Sequence, residues 1–274
     1  MTARADWADF HLHSTCSDGS DPPEDVAARA HALGAHALAL TDHDTVAGVA
    51  PMRAAATALG MLSLSGVEIS TVHERHEVHV IALGVNTGDD ALAGVLERLR
   101  NARARRADAI VLRLKELGID LAEAPAWRGG ESTGRMHIAA AMQTMGVVRR
   151  SQDAFNKYLN PGKAAFVPRE KVDTAEAIER IHTAGGLAFV AHPGLNRALR
   201  RLLPTLLHLP FDGIEAYHTS HTPGRMEEFA ALATARGLLI TGGSDCHGDI
   251  KGRREMGRVR LPWRHADAIL SRLA

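Results

Sequence analysis

Five short apolar runs in this sequence each lead directly into histidine or a carboxylic acid. The first run, Trp7 to Leu12, carries His11 and leads into His13. Because side chains alternate along a strand, both imidazoles project from the same face. Segments of helical character separate most of the runs, and this alternation predicts a mostly parallel sheet covered by helices. In such a sheet the polar residues that follow the strands lie together at the carboxyl ends.

Proline and glycine mark where the helices begin and end. Pro22 and Pro23 are predicted to open a helix that stops at Gly34, because proline is tolerated in the first turn and glycine commonly follows the last. Thr45 is predicted to cap a second helix that ends before Gly60. The same alternation returns in the C-terminal part of the chain. The expected strands are residues 7–12, 37–41, 61–65, 76–84, 187–191, 213–216 and 238–241.

The pattern changes between about Asp89 and Phe166. Apolar residues there recur at helical spacing, and the alternation of strands and helices is interrupted. One of the helices is predicted to carry Arg135 and His137 in its first turn. We therefore predict an inserted helical subdomain at residues 89–165, with residues 1–88 and 166–274 forming a barrel-like domain.

Charge balance and the lack of targeting segments narrow the class of protein. Lysine and arginine together number 32, as do aspartate and glutamate, so the net charge is zero with neutral histidines. This balance argues against a protein that coats nucleic acid by charge alone. No apolar run approaches the roughly 20 residues of a membrane span, and the N-terminal residues lack a signal-peptide core. Cys16 and Cys246 are expected to be reduced thiols, so the sequence predicts a cytoplasmic protein with no membrane partner and leaves the oligomeric state open.

Histidine and carboxylate positions are the strongest functional signal. They offer nitrogen and oxygen ligands, and the sequence contains no Cys-x-x-Cys motif. Structural zinc sites usually have four ligands rich in thiolate, whereas this larger set exceeds the needs of one ion and suits a catalytic cluster of two or three. Burying so many such side chains without a function would be unfavourable. The candidate ligands are His11, His13, Asp18, His43, Glu68, His79, His192, Asp245 and His247.

The segments that contain these residues resemble the four motifs of the polymerase and histidinol phosphatase (PHP) family. The resemblance covers most of the chain outside the helical insertion. It implies an α/β fold, a distorted (β/α)7 barrel, with the insertion as a small helical subdomain. The segments are Asp9-Phe10-His11-Leu12-His13-Ser14 with Asp18-Gly19, Thr41-Asp42-His43-Asp44, Gly66-Val67-Glu68, His79, Ala191-His192-Pro193 and Gly243-Ser244-Asp245-Cys246-His247.

The resemblance also implies how three divalent metal ions would be held. Manganese is the expected metal, with zinc, iron and magnesium left open. Some members of the family carry histidine at the position of Asp18. By resemblance, the first ion is held by His11, His13, Glu68 and Asp245, the second by Glu68, His79 and His192, and the third by Asp18, His43 and His247.

The order of the motifs and the place of the insertion are most similar to a stand-alone subgroup of the family that hydrolyses nucleoside 3′,5′-bisphosphates and trims short RNA. We therefore expect a metal-dependent phosphoesterase that removes the 3′-phosphate and leaves the nucleoside 5′-monophosphate. The expected nucleophile is a hydroxide that bridges the metal ions. The sequence leaves open 5′-3′ exoribonuclease activity on short RNA, another phosphatase activity such as that on histidinol phosphate, and a non-catalytic metal- or nucleotide-binding module.

Several positions are assigned roles other than metal binding alone. His218, which follows a predicted strand, is expected to protonate the leaving oxygen, with His221 as the alternative. Asp245 is expected to contribute to catalysis as well as to metal binding. Among the ligands, His79 depends most on strand register, because other histidines lie close by. The residues expected to orient ligating imidazoles or to cap backbone amides are Asp9, Asp42 and Asp44.

Local cations are the candidates for binding a second phosphate of the substrate. Arg135 combines a guanidinium with the positive end of a helix, although a solvated helix residue is an equally good interpretation. His137 and Lys163 are weaker candidates. The run Arg98 to Arg106 would suit an RNA backbone, but a basic solvated helix face is the commoner explanation.

Overall fold

The computed structural model describes residues 6–122, 124, 132–168, 171–249 and 255–274. Its strands are β1 (Trp7–Leu12), β2 (Ala37–Leu40), β3 (Leu62–His73), β4 (His76–Leu83), β5 (Val172–Asp173), β6 (Leu187–Val190), β7 (Gly213–His218), β8 (Leu239–Gly243) and β9 (Leu261–Pro262). Its helices are α1 (Pro23–Ala32), α2 (Val49–Ala58), α3 (Asp90–Glu116), α4 (Arg135–Thr144), α5 (Ser151–Ala154), a π-helix (Phe155–Leu159), α6 (Thr174–Thr183), α7 (Arg197–Leu206), α8 (Pro223–Ala235) and α9 (Trp263–Leu273). In these residues we find no helix with the length and apolar character needed to cross a membrane.

Seven of the strands form a nearly closed barrel. They lie in the order β8-β7-β6-β4-β3-β2-β1, with β9 beside β1 and β5 beside β3. The barrel closes between β1 and the residues that follow β8. Leu12 pairs with Cys246, and the amide of Asp245 donates to the carbonyl of His11 at 2.9 Å. The predicted distorted (β/α)7 barrel is therefore confirmed. Closure brings residues from both ends of the chain to one rim.

One strand of the barrel runs against its neighbours. β3 and β4 are joined by a tight turn at Glu74, whose φ of 55° lies in the left-handed region, and they pair as an antiparallel hairpin. β4 is antiparallel to β6 as well. The prediction of a mostly parallel sheet is confirmed for the barrel, and β4 is its antiparallel strand. Because β4 points the other way, its N-terminal half reaches the rim at which the parallel strands end.

The start of α2 also differs from the prediction. The helix begins at Val49, whereas the hydroxyl of Thr45 accepts a hydrogen bond from the amide of Ala47 at 3.2 Å in the preceding turn. A Cβ atom on Gly48 would lie 2.5 Å from the side chain of Leu40. A larger residue at this position would press on Leu40, and the helix begins only after the turn.

α3 links two separate apolar clusters. Its N-terminal half contributes Leu96 and Leu99 to the cluster that covers the barrel. Its C-terminal half contributes Ile110 to a second cluster, which also contains Ile138 of α4 and Leu159 of the π-helix. α3, α4 and the π-helix thus stand together beside the barrel. The predicted subdomain bounds, residues 89–165, stay a prediction.

Candidate metal centre and active site

Glu68 lies at the centre of a buried group of imidazoles. It belongs to β3 and is 1% exposed. One of its carboxylate oxygens is 2.7 Å from Nδ1 of His79 and 2.9 Å from Nε2 of His192. The other oxygen faces three further nitrogens, at 3.3 Å for Nε2 of His11, 3.2 Å for Nε2 of His13 and 3.0 Å for Nδ1 of His43.

The other predicted ligands lie in the same cluster. One oxygen of Asp245, which follows β8, is 3.2 Å from Nε2 of His13. Asp18, in the loop after β1, is 3.2 Å from Nε2 of His247. The structure therefore brings all nine predicted ligands together. In three overlapping groups the ligand atoms lie within 4.8 Å of one another: His11, His13, Glu68 and Asp245; His13, Asp18, His43 and His247; and His43, Glu68 and His79.

Several buried atoms in this cluster lie close to one another but make no hydrogen bond of suitable geometry with any group in the part of the chain that the structure describes. Leaving a buried polar atom unsatisfied costs about 1–3 kcal/mol. Divalent cations would use the lone pairs, and a mixture of imidazole and carboxylate suits manganese, iron or zinc. The donor set therefore fits a centre of several metal ions. The atoms are Nε2 of His11, both ring nitrogens of His13, Nδ1 of His43, Oε2 of Glu68 and Nδ1 of His192.

The carboxylates control the charge of the imidazoles. Burial alone would lower the pKa of His13, but Asp245 and Glu68 raise it overall to about 9. Burial likewise opposes a charged His79, and Glu68 and Glu77 raise the pKa of that imidazole to about 9. In the metal-free protein these two histidines therefore hold protons at neutral pH, and a bound cation would displace them.

Glu215 is a functional carboxylate that the sequence analysis missed. It lies inside the barrel on β7, where one oxygen accepts from Nδ1 of His11 at 2.8 Å and the other from the amide of His192 at 2.6 Å. Because Nδ1 carries the proton of the first bond, Nε2 of His11, which faces Glu68 and Asp245, is the nitrogen that could bind a metal ion once its own proton is displaced. The available signal was a single carboxylic acid within the apolar run Gly213 to Ala216.

Asp9 and Asp42 hold the backbone around the ligands, as predicted. Asp9 accepts from the amides of Ser244 at 2.9 Å and His11 at 3.3 Å, and burial raises its pKa to about 6. Asp42 accepts from the amide and hydroxyl of Ser14 at 2.7 and 2.6 Å. These bonds join the loop after β8 to β1, and the loop after β1 to the loop after β2.

Three residues at the rim adopt a left-handed backbone that side chains rarely favour. The φ angles are 56° at Asp44, 29° at His192 and 53° at Asp245. Such conformations cost about 1–3 kcal/mol each and persist where the surrounding contacts require them, commonly at functional sites. Here they lie at or next to predicted ligands.

His218 and His221 differ in the state of their ring nitrogens. Nδ1 of His218 accepts from the amide of Ser220 at 3.0 Å, so a neutral ring carries its proton on Nε2, which is 3.6 Å from Asp245. His221 donates from Nδ1 to the carbonyl of Ala216 at 2.8 Å and accepts at Nε2 from the amide of Gly194 at 3.0 Å. Backbone groups thus occupy both nitrogens of His221, and the geometry favours His218 as the proton donor.

A cavity of about 420 Å³ lies beside the cluster. Predicted ligands, among them Asp18 and His43, line one side of it. Helical residues form another side, which we name the helical wall and which consists of Arg103 and Arg106 of α3, Arg135 of α4 and Phe155 of the π-helix.

The predicted substrate-binding residues have different positions. Arg135 is the first residue of α4, and its guanidinium lies 5.6 Å from the ring centre of Phe155. His137 accepts at Nδ1 from the amide of Gly134 at 3.0 Å, so it caps the same helix. Lys163 is exposed on the turn after the π-helix and is not among the described residues that line the cavity.

The basic run is not uniformly solvated. Arg98 is exposed and pairs with Glu176, in agreement with a solvated face. Arg103 is 9% exposed, so for this residue the interpretation as part of a solvated face is wrong. The reason is tertiary, because α3 crosses the rim at this point and the guanidinium meets the carboxylate of Asp44.

Comparison with known proteins places this site in a family. Residues 9–125 match the PHP domain. The chain is 37% identical to the 3′,5′-nucleoside bisphosphate phosphatase of Chromobacterium violaceum, over 97% of this chain and 98% of that protein. The chain belongs to the PHP family. The resemblance noted in the sequence is therefore confirmed.

Other PHP proteins agree in sequence and fold. This PHP chain is 36% identical to the 5′-3′ exoribonuclease of Haemophilus influenzae, over 87% of this chain and 89% of that protein. The crystal structure of a candidate metal-dependent phosphoesterase from Bifidobacterium adolescentis matches it with a TM-score of 0.87 and 30% identity, over 98% of this chain and 97% of that one. The PHP protein described here is a metal-dependent phosphoester hydrolase, as predicted.

Proposed function

We propose that this PHP enzyme hydrolyses the 3′-phosphate of nucleoside 3′,5′-bisphosphates and releases nucleoside 5′-monophosphate and phosphate. The observation that carries the proposal is a cavity with two different sides. Metal-ligand residues line one side, and Arg135 and Phe155 lie on the other. A nucleoside with two phosphates offers one anion to each side. The relative that is 37% identical and named for this activity supports the same substrate.

We propose that three divalent ions occupy the centre and that manganese is the metal. Bound ions of this kind lower the pKa of a water molecule towards neutrality and offset the charge of phosphate oxygens. Glu68 is the proposed shared ligand, because both of its oxygens face imidazoles. The proposed sets are His11, His13, Glu68 and Asp245; Glu68, His79 and His192; and Asp18, His43 and His247.

His218 is the proposed general acid. In its imidazolium form the ring carries a proton on each nitrogen, and the hydroxyl of Ser220, 2.7 Å from Nδ1, can accept from one of them. When the phosphate leaves, the Nε2 proton passes to the 3′-oxygen of the ribose and the ring becomes neutral. Asp245, 3.6 Å from Nε2, takes part by holding the ring towards the centre.

Arg135 is proposed to bind the 5′-phosphate. It combines a planar guanidinium, which can donate two parallel hydrogen bonds, with the positive end of α4. His137 supports this arrangement indirectly because it caps the helix through the amide of Gly134. Lys163 has no part in the proposal, since its exposed side chain lies outside the lining of the cavity.

Trimming of short RNA from the 5′ end is a second candidate function, favoured by the relative from Haemophilus influenzae. The terminal nucleotide of a 5′-phosphorylated RNA carries a 5′-phosphate and an ester at its 3′-oxygen. The metal side of the cavity would bind the ester at the 3′-oxygen, and the side with Arg135 would bind the 5′-phosphate. The proposed partners are therefore a small nucleotide or short RNA, and we propose a cytoplasmic location because such charged substrates do not cross membranes unaided.

Product analysis with the manganese-loaded enzyme tests these proposals. We expect phosphate and adenosine 5′-monophosphate from adenosine 3′,5′-bisphosphate, with a larger kcat/KM than for a 5′-phosphorylated oligonucleotide. Cleavage confined to the oligonucleotide would replace the first function with the second. Turnover confined to histidinol phosphate would contradict both.

A further inference from the structure

Arg103 contacts Asp44, a residue of the metal-site loops, and Ser70 of β3. Its Nε donates to the carboxylate of Asp44, and a terminal nitrogen donates to the hydroxyl of Ser70 at 2.8 Å. Arg100, one turn earlier on α3, donates to the backbone carbonyl of Asp44 at 3.2 Å. α3 therefore holds both the side chain and the backbone of Asp44.

Asp44 directly follows the predicted ligand His43. Its left-handed φ of 56° is unfavourable for aspartate and needs support from its surroundings. Arg103 and the amide of Ser70 both donate to the Asp44 carboxylate, the amide at 2.7 Å. The backbone amide of Asp44 itself donates to the carbonyl of Glu68 at 3.0 Å. These contacts set the turn that directs the imidazole of His43 at Glu68.

The other side of the Arg103 guanidinium faces the start of α4. A Cβ atom on Gly134 would lie 3.1 Å from its Nη1. Gly134 immediately precedes Arg135, the proposed ligand of the 5′-phosphate. Arg103 thus lies between the turn after His43 and the helix end at which the second phosphate would bind.

We propose that Arg103 is a positioning residue that orients His43 through Asp44 and ties that orientation to the start of α4. The link to the 5′-phosphate site rests on the proposed function, whereas the expected effect of Arg103 on metal binding does not. The competing explanation is that Arg103 lines the cavity only to bind a substrate phosphate.

Manganese titration by calorimetry, without substrate, separates the two explanations. We expect Arg103→Gln to weaken the binding of one manganese ion by about 10–100-fold, the range typical for residues that orient a metal ligand. Asp44→Asn should have a similar effect. The double variant should be no worse than the more severe single variant, because both changes break the same link. Arg103→Lys should also weaken binding, since lysine keeps the charge but not the two-point contact.

Arg106→Gln is the matched control. Arg106 lies on the same helix and lines the same cavity, but its Nε donates to the carbonyl of Val167 at 2.8 Å. We expect this variant to bind manganese like the parent enzyme. Steady-state kinetics provide a second measurement: with limiting manganese, Arg103→Gln should lower kcat, and excess manganese should restore part of it.

Two results would overturn the inference. One is an Arg103→Gln variant with parental manganese binding and a raised KM alone. The other is additive loss of manganese affinity in the double variant. Thermal unfolding checks that each variant is folded, and Arg103→Lys carries the test if Arg103→Gln does not fold. If the bisphosphate proves not to be a substrate, the calorimetric result still decides the role of Arg103.

Discussion

The rim of the barrel and the helical wall face the same cavity, but they are built differently. At the rim, histidines and carboxylates are buried and contact one another, and their backbone is fixed by further buried carboxylates such as Asp42 and Glu215. On the helical wall, Arg135 is partly exposed and its guanidinium lies beside Phe155. The rim has the composition of a centre for chemistry, and the wall has that of a surface for choosing a substrate.

This difference predicts how variants on each side should behave. A change of a metal ligand at the rim should affect every substrate, because all of them need the same ions. A change at Arg135 on the wall should affect only substrates that carry the group bound there, whereas Arg103 of the same wall contacts the metal-site loops. The proposed difference between rim and wall would be contradicted if metal-ligand variants and the Arg135 variant lost activity on the same set of substrates.

The largest effect is expected for the metal ligands. Asp245→Asn or His11→Gln should lower kcat by about 1,000-fold or more on every phosphoester, because several kcal/mol of transition-state stabilisation depend on the bound ions. Metal analysis should show fewer ions per chain in a protein that remains folded. His31→Gln, at an exposed histidine of α1, is the control and should retain full activity. Parental activity in either rim variant would contradict the assignment.

A smaller and more selective effect is expected for the proton donor. His218→Asn should reduce kcat for adenosine 3′,5′-bisphosphate by about 100-fold or more, the usual contribution of a general acid. p-Nitrophenyl phosphate should lose much less, since its leaving group departs without a proton. Manganese content should stay at the parental value. Equal losses on the two substrates would show that His218 is not the acid.

Arg135→Gln, on the helical wall, should affect only substrates that carry a 5′-phosphate. Arg135→Gln removes a charged hydrogen-bond donor worth roughly 1.5–3 kcal/mol, so the KM for adenosine 3′,5′-bisphosphate should rise by about 10–100-fold. Hydrolysis of adenosine 3′-monophosphate, which has no 5′-phosphate, should be nearly unchanged. A similar rise in KM for both compounds would place Arg135 at the reacting phosphate instead.

The last prediction concerns metal affinity, which should change with pH. His13 and His79 have pKa values of about 9 in the metal-free protein, so ligation must displace protons below that pH. Because these pKa values are raised, the two imidazolium ions stabilise the metal-free fold fully below about pH 6.5, and this contribution is lost as the pH rises through 9. Manganese affinity should therefore increase between pH 7 and 9, by up to about tenfold per pH unit for each displaced proton. Calorimetry in two buffers of different ionisation enthalpy measures the proton release, and no difference between the buffers would contradict the prediction.

The sequence by itself was enough to locate the barrel and its candidate ligands. His43 and His192 could be predicted because each follows a short apolar run directly, and parallel strands end at one rim. His79 was also identified, although its strand is antiparallel to its neighbours. The hairpin turn at Glu74 reverses β4 and carries the imidazole to the rim from the other direction.

Only the tertiary structure decided which residues support the ligands and where the substrate cavity lies. Glu215 meets His11 across 204 positions of sequence, and Arg103 meets Asp44 across 59. The choice between His218 and His221 depends on which backbone amide reaches which ring nitrogen. Local sequence patterns report the periodicity of one element at a time. Contacts between distant elements depend on how the barrel closes and where α3 crosses it, and no short stretch of sequence contains that information.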